Sequence, residues 1–191
     1  MSSKHVYIEP NEIRMTDDDG GPSLHIVRPA YLDGERYFWF PQCAILKNTE
    51  YINNSSTLTD SALTLPINAG GTWEVSGVAL FGQPDYTATS CVEKLQITAP
   101  SGSAGHIMFT RSYGNVGTAD TAADGIVQSV NASITTASSF ADADVRKGFM
   151  FSGVITGGTS AGSVTLQYAQ NAAVNANLWL LSGWLKIQRI A

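Results

Sequence analysis

The feature that most restricts the fold of this chain is a succession of short β-type segments separated by turn residues. Residues 63–67 alternate apolar and polar side chains, and residues 73–76 continue that two-residue period before Gly77, where we predict a β-bulge. The other predicted strands are rich in Val, Ile, Thr and aromatic residues, and they span residues 78–81, 92–98, 107–110, 126–134, 149–155, 164–169 and 178–190.

Turn-forming residues punctuate these segments. Residues 99–103 and 156–160 contain the Pro, Gly and Ser clusters that are typical of turns, and residues 118–123, which have no apolar period, are predicted to be a loop. No segment has a convincing helical period. The pattern therefore predicts an all-β sandwich of about eight strands.

The distribution of charge divides the chain into two parts. Of the 27 charged residues, 11 lie in residues 1–45, and the longer remainder is rich in Ser, Thr, Ala, Gly and Asn. We predict an N-terminal attachment arm at residues 1–45 and a main domain at residues 46–191. Within the arm, residues 6–8 and 13–15 are predicted short strands, and residues 24–28 and 36–40 form a predicted hairpin across Asp33-Gly34.

Four consecutive aromatic residues close the arm: Tyr37, Phe38, Trp39 and Phe40. In an isolated hairpin at least half of them would face water, so burial against a second surface is expected. That surface is either the core of the same subunit or the surface of a neighbouring subunit or another partner. We treat the four as candidate residues for docking to a partner.

Composition argues against several classes of protein. The net charge is −5 and no basic run occurs, which disfavours general nucleic-acid binding. No apolar run reaches the roughly 18–20 residues of a membrane span, and the first residues lack the apolar core of a signal peptide. Charged residues are 14% of the chain, against about a quarter in typical soluble proteins. A surface with so few charged residues suggests that part of it is covered by copies of the chain or by a partner.

The residues that carry most enzyme and metal chemistry show no useful spacing. His5, His25 and His106 are far apart in sequence, and Cys43 and Cys91 lack the spacing of zinc or redox sites, so two buried thiols are expected. Neither a G-x-S-x-G nucleophile elbow nor a phosphate-binding loop is present. We predict no enzyme activity, no catalytic residue and no cofactor.

Two acidic groups remain as alternatives. Residues 17–19 are three adjacent aspartates that suit a solvated turn better than a calcium loop, because a calcium loop needs alternating ligands and a distal Glu. Asp142 and Asp144 would share one face of a strand, an arrangement that could serve glycoside hydrolysis. Arg146 and Lys147 follow them, which favours a plain charged loop. We predict no metal site.

Three stretches together resemble a domain of bacteriophage virion proteins. They are TDSALTLPINAGGTWEVSGVALF at residues 59–81, LQITAPSGSAGHIMF at 95–109, and FSGVITGGTSAGSVTLQYAQN at 151–171, which LLSGWLKIQRI at 180–190 completes. The family shows a Leu-x-Leu/Phe-Pro strand, a Pro-x-Gly-Ala turn and a Leu-Gln-Trp/Tyr-Ala-Gln-Asn strand in this order. The resemblance covers residues 58–190 and does not include the arm.

The resemblance implies a jelly-roll β-sandwich of the tumour-necrosis-factor-like group, which forms compact trimers. Amide and phenol side chains along one strand suit a semi-polar interface at a threefold axis, although an exposed strand face on a monomer would have the same pattern. The tryptophans of the last strand are expected in the core or in an interface, and the alternative that they are ligand platforms is less favoured. The candidate trimer-interface residues are Gln167, Tyr168, Gln170, Trp179 and Trp184.

These expectations favour a bacteriophage virion structural protein that assembles in the host cytoplasm. Its expected partners are itself, as a homotrimer, and the major capsid protein or another virion protein, with no nucleic acid and no membrane. The favoured role is capsid decoration (cement), in which Tyr37, Phe38, Trp39 and Phe40 of the arm would dock on the capsid lattice or on a neighbouring subunit. The alternative is a host-recognition module of a tail fibre or head fibre, with loops at residues 82–90 and 113–125 that contain Tyr86 and Tyr113.

Overall fold

A computed structural model describes residues 4–9, 12–17, 24–27, 41–86, 89, 91–115, 122–135, 140 and 145–191. The side chains of the three N-terminal strands and of residues 112–115 and 122–124 are not part of this description. No helix occurs among the described residues, so the all-β prediction is confirmed. The chain divides into two compact units, Met1–Phe40 and Pro41–Ala191.

The first unit contains a three-stranded antiparallel sheet, formed by β1 (Lys4–Glu9), β2 (Glu12–Asp17) and β3 (Leu24–Val27) in that order. β1 and β2 include the two short strands predicted around residue 10, and β3 includes most of the first strand of the predicted hairpin. Tyr37, Phe38, Trp39 and Phe40 lie outside the described residues, so their docking role stays a prediction.

The second unit contains eleven strands among its described residues, and their bounds follow the turn residues of the sequence. They are β4 (Gln42–Ile45), β5 (Glu50–Asn53), β6 (Thr59–Ile67), β7 (Thr72–Gly82), β8 (Glu93–Thr98), β9 (Ala104–Asn115), β10 (Ala122–Ser129), β11 (Ile134–Thr135), β12 (Val145–Thr156), β13 (Gly162–Gln170) and β14 (Asn177–Arg189). β4 and β5 are short and were not predicted, and β4 lies within residues 1–45, which were assigned to the arm.

The strands form two antiparallel sheets. The larger has the order β10-β9-β12-β7-β14, with β4 and β5 both pairing with the far side of β14, and the smaller has the order β11-β8-β13-β6. The pairs are nested along the chain: β5 pairs with β14, β6 with β13, β7 with β12, and β8 with β11. The β9–β10 hairpin is inserted at the centre of this nest and extends the larger sheet.

Alternating side chains build the core between the sheets. In β6, Leu63, Leu65 and Ile67 are buried while the residues between them are exposed, as a strand with one solvated face requires. Aromatic rings fill the centre: the Phe81 ring lies 5.8 Å from that of Phe149 in its own sheet and 5.6 Å from that of Tyr168 in the opposite sheet. These contacts join the two layers.

The bulge predicted at Gly77 is wrong. Gly77 pairs in continuous register with Phe151 on one side and Leu185 on the other. Its missing side chain has a packing role instead, because a Cβ there would lie 2.1 Å from Cζ of Phe151. The register shift lies on β14, between Leu180 and Ser182.

Residues 126–134, predicted as one strand, belong to both sheets. β10 ends at Ser129, and Ile134 pairs with Leu95 of the smaller sheet. Between them Asn131 adopts a φ of 65°, which an asparagine tolerates better than most residues. Its Oδ1 accepts a hydrogen bond from the backbone N of Ala99 at 2.8 Å, which fixes the crossing. Of the predicted loop at residues 118–123, Ala122 and Ala123 begin β10, and residues 118–121 are not described.

Candidate interaction surface

The outward face of the larger sheet carries a row of exposed apolar side chains among its polar ones, whereas a solvated face is usually polar. The most exposed of these apolar side chains range from 38% exposed, for Trp184, to 67% exposed, for Ile45. Val78, which lies opposite Trp184 on the same face, is half-buried. We call this set the apolar stripe; its members are Val127, Met108, Met150, Val78, Trp184 and Ile45.

The strand register makes the stripe continuous. Met150 lies opposite Val78, Val78 opposite Trp184, and Trp184 opposite Ile45. Side chains paired in this way on one face have Cβ atoms about 4.5–5.5 Å apart. Met108 lies opposite Val127 and one diagonal step from Met150. The stripe therefore crosses the sheet from β10 to β4.

A surface concavity of about 300 Å³ lies over the centre of the stripe. Met108, Met150 and Trp184 line it together with the small side chains of Ser76 and Ser152. Because the serines are short, the larger apolar side chains stand above them and leave a shallow depression. Monomeric soluble proteins rarely expose contiguous apolar patches larger than a few hundred Å². This face is therefore the main candidate interaction surface.

Two of the candidate trimer-interface residues of β13, Tyr168 and Gln170, serve the interior instead. Tyr168 is 2% exposed and packs against Phe81, and burial raises the pKa of its phenol above the usual range. Gln170 is fully buried: its Nε2 donates to the carbonyl of Ala176 at 2.5 Å, and its Oε1 accepts from the backbone N of Val174 at 2.9 Å. Gln170 thus holds the β13–β14 connection, and neither side chain presents a surface to another copy.

The other three candidates lie nearer the surface. Half-buried Gln167 donates from Nε2 to Oδ1 of Asp60 at 2.6 Å. Trp184 belongs to the apolar stripe. Trp179 is also on the outward face, nearer the end of the sheet, where it pairs with Tyr51 of β5. Of the five candidates, the structure thus places Trp184 alone in the stripe.

Around Trp179 lies a second group that the sequence analysis missed, which we call the aromatic–amide cluster: Tyr51, Asn53, Asp85, Asn177 and Trp179. The Tyr51 and Trp179 rings are 4.8 Å apart with an interplanar angle of 33°. Asp85 accepts hydrogen bonds from Trp179 Nε1 at 3.0 Å and from Asn177 Nδ2. Asn53 Nδ2 donates to Asn177 Oδ1 at 2.8 Å. The residues come from three separate segments. The sequence indicates the loop around Asp85 and, as an interface candidate, Trp179, but not that they meet.

An ion pair lies in the core between the two sheets. Lys147 Nζ lies 2.8 Å from Oε2 of Glu93, both side chains are fully buried, and the ammonium stands 4.2 Å from the centre of the Phe140 ring. Burial lowers the pKa of Lys147, while the carboxylate of Glu93 acts in the opposite direction. An enclosed pair of this kind is inaccessible to a substrate and has a structural role.

The cysteines occupy different environments and are not joined to each other. Cys91 is buried, as expected, and burial raises its pKa to about 12. Cys43 is exposed, contrary to the expectation, because it lies on the edge strand β4. There it lines a surface concavity of about 580 Å³ with Ile45, Glu50 and Ala62, next to one end of the apolar stripe.

The described residues contain neither a metal-binding group nor a membrane-spanning helix. No three His, Cys, Asp or Glu side chains in that part of the chain come together as a metal-binding group. That part also contains no helix of the length and apolar character needed to cross a membrane. Asp142 and Asp144, the alternative hydrolytic pair, lie outside the described residues.

Comparison with known proteins gives no match, either to protein-family models or to the sequences of curated proteins. The functional conclusion therefore rests on the fold, on its exposed surfaces and on the resemblance of the three sequence stretches.

Proposed function

We propose that this protein is a structural component of a bacteriophage particle, a homotrimer that decorates the outer surface of the capsid as a cement protein. The observation that carries the proposal is the apolar stripe on the larger sheet, because a face of this character needs a partner to cover it. In this role the chain is not an enzyme and uses no cofactor.

The order of the strands supports a jelly roll. A jelly roll has eight strands in two sheets with Greek-key connections. Here the four nested strand pairs around the β9–β10 hairpin place four strands in each sheet, as in a jelly roll. β4 and β5 both pair with β14, so they share one position in the larger sheet. The three stretches that resemble phage virion domains fall in β6–β7, in β8–β9 and in β12–β14. The stretches thus supply at least one strand to each of the four nested pairs. Of the eight strands in these pairs, β5 and β11 lie outside the stretches.

The size of the outward face suits a subunit interface. From Gly148 to Val154 along β12, and from β9 to β4 across the strands, the face measures about 20 Å by about 19 Å, or roughly 400 Å². A standard interface buries about 800 Å² on each partner. The sheet face would thus form the interface core, and its rim would supply the remainder. Met, Val, Ile and Trp are residue types suited to the apolar core of a homomeric interface. The trimeric state itself comes from the resemblance.

Solution mass tests the interface. We expect the purified chain to be trimeric at micromolar concentration and Met150→Glu to be monomeric, because the charge would have to be desolvated against apolar side chains. Ile190→Glu is the matched control: Ile190 is 53% exposed, close to the 57% of Met150, but lies outside the stripe. Sedimentation velocity gives the masses. A monomeric parent chain, or a trimeric Met150→Glu variant, would overturn the proposal.

Binding to capsids tests the location on the particle. The full chain is added to capsids that lack it, and co-sedimentation is measured for the parent and for a variant with Phe38 and Trp39 replaced by serine. We expect the variant to stay trimeric and to lose capsid binding. Failure of the parent chain to bind capsids would contradict a decoration role.

A host-recognition module of a tail or head fibre is the second candidate function. The aromatic–amide cluster favours it, because this group is exposed and combines aromatic rings with hydrogen-bonding side chains. Specific adsorption of the purified trimer to host cells, together with absence of capsid binding, would favour this function over decoration.

A further inference from the structure

The aromatic part of the aromatic–amide cluster offers an open face. Tyr51 lies opposite Trp179 in the register of β5 and β14, and the two rings stack at 4.8 Å. Tyr51 remains 59% exposed although the indole covers part of it. The side of the phenol ring away from Trp179 is thus available as a flat platform for a ligand.

The polar part lies directly beside this platform. Asp85 and Asn53 are exposed, and Asn177 is half-buried between them. A carboxylate has about four acceptor positions, and the hydrogen bonds within the cluster use two of those on Asp85. The remaining positions on the carboxylate can accept hydrogen bonds from the hydroxyl groups of a ligand. The amide groups of both asparagines can donate to such hydroxyl groups and accept from them.

The hydrogen bonds hold these groups in a fixed arrangement before any ligand arrives. Asn53 donates to Asn177, Asn177 donates to Asp85, and the Trp179 indole donates to the second oxygen of the same carboxylate. These three hydrogen bonds connect the end of β5, Asp85 after β7 and the start of β14. Side chains that are already ordered lose less entropy when a ligand binds, which favours affinity.

We propose that the aromatic–amide cluster is a binding site for a neutral pyranose sugar. The C–H face of a pyranose ring would stack on Tyr51, and two neighbouring hydroxyl groups would bond to Asp85 and Asn177. A sugar is the class of ligand that presents an apolar face and vicinal hydroxyl groups within one small ring. The carboxylate of Asp85 selects against acidic sugars and against phosphate by like-charge repulsion.

The site is distinct from the apolar stripe and serves either of the proposed functions. A protein on the outside of a particle meets the glycans of the host surface whether it sits on the head or on the tail. Failure of sugar binding and failure of trimer formation are separate results, because Met150→Glu tests the stripe and the variants below test the cluster.

Saturation-transfer NMR on the full chain measures the binding. The probes are the methyl pyranosides of glucose, galactose, mannose and N-acetylglucosamine at millimolar concentration. The ligand efficiency of small ligands gives an expected Kd of about 1 mM for a single hexoside. We expect saturation transfer to the ring C–H protons of at least one probe, and a Kd raised about tenfold in Tyr51→Ala, which removes the stacking surface. Asp85→Asn is expected to weaken binding by a similar factor.

Two matched variants separate a binding role from a folding role. Tyr51→Phe keeps the platform and is expected to bind like the parent. Asp60→Asn neutralises another exposed carboxylate, which accepts a hydrogen bond from the amide of Gln167. This variant is expected to have the same Kd for the sugar as the parent. Thermal melting of all variants confirms folding.

Two results would overturn the inference. One is the absence of saturation transfer to all four glycosides with the parent chain, and the other is an unchanged Kd in Tyr51→Ala. If the first result is accompanied by a changed mass of Tyr51→Ala in sedimentation velocity, the cluster is a subunit contact.

Discussion

The buried ion pair between Glu93 and Lys147 allows a quantitative test of the core. Lys147→Met keeps a flexible chain of similar length under the Phe140 ring but removes the ammonium that lies 2.8 Å from the Glu93 carboxylate. Glu93 is fully buried, so its charge then stays in the core without the ammonium of Lys147. The variant should therefore be destabilised by much more than the loss of one exposed interaction.

Breaking a buried pair by removing one partner costs about 3–5 kcal/mol. We expect a value at the lower end, about 3 kcal/mol, because the positive charge of Arg111, which acts on the pKa of Lys147, remains near the pair. Contact between the Met sulfur and Phe140 also replaces part of the lost interaction. Since a domain of this size is stable by about 5–15 kcal/mol, this loss is readily measured.

Urea unfolding followed by tryptophan fluorescence measures the free energy of unfolding. The double variant Lys147→Met/Glu93→Gln removes both charges, and we expect it to recover most of the lost stability. Lys186→Met, a half-buried lysine on the outward face of the same sheet, is the matched control and should change stability by less than about 0.5 kcal/mol. If Lys147→Met costs less than about 1 kcal/mol, or the double variant is no more stable than the single one, the pair does not hold the core as described.

Three further predictions concern the glycine in β7 and the two cysteines. Gly77→Ala should lower the free energy of unfolding by about 1–3 kcal/mol, since its Cβ would lie 2.1 Å from the Phe151 ring; an unchanged urea midpoint would contradict this packing. Burial raises the pKa of Cys91 from 9.0 to about 12, so the folded state keeps a proton that the unfolded state loses. Stability should therefore fall as pH rises from 9 to 12, by at most about 4 kcal/mol from this group. Cys91→Ala should show a smaller decrease over that window, and an identical decrease would refute the assignment. Cys43 should react with a thiol reagent in the folded protein within minutes, whereas Cys91 should react only on unfolding; equal rates would contradict their different exposure.

The last strand shows why the faces of a strand cannot always be assigned from its sequence. Leu178 and Leu180 point into the core at even positions, whereas Leu185 and Ile187 do so at odd positions. The extra residue between Leu180 and Ser182 causes this change of parity. Strand and turn residues predicted that β14 exists and roughly where it ends, but nothing in its apolar pattern indicates which residue is left unpaired.

The polar residues of β13 show a related limit. Amides in a strand indicate that hydrogen bonds must be satisfied, but they do not say by which partner. Gln170 finds its partners in the loop that follows its own strand, at Ala176 and Val174, so a pattern that suited an interface belongs to the interior. The aromatic–amide cluster was missed for the same reason, because Tyr51, Asp85 and Trp179 meet only once β14 lies between β5 and β7.

The same bulge on β14 also permits the two proposed surfaces to coexist. Trp179 and Trp184 differ in parity, so a regular strand would place them on opposite faces, and the bulge brings both to the outward face. They are five residues apart, which at about 3.3 Å per residue separates them by roughly 15 Å. A neighbouring subunit that covers the stripe at Trp184 can therefore leave the Tyr51 platform open to solvent. If both proposals hold, Met150→Glu abolishes the trimer but keeps the Kd for a single sugar, and loses only the avidity that three linked sites give toward a polysaccharide.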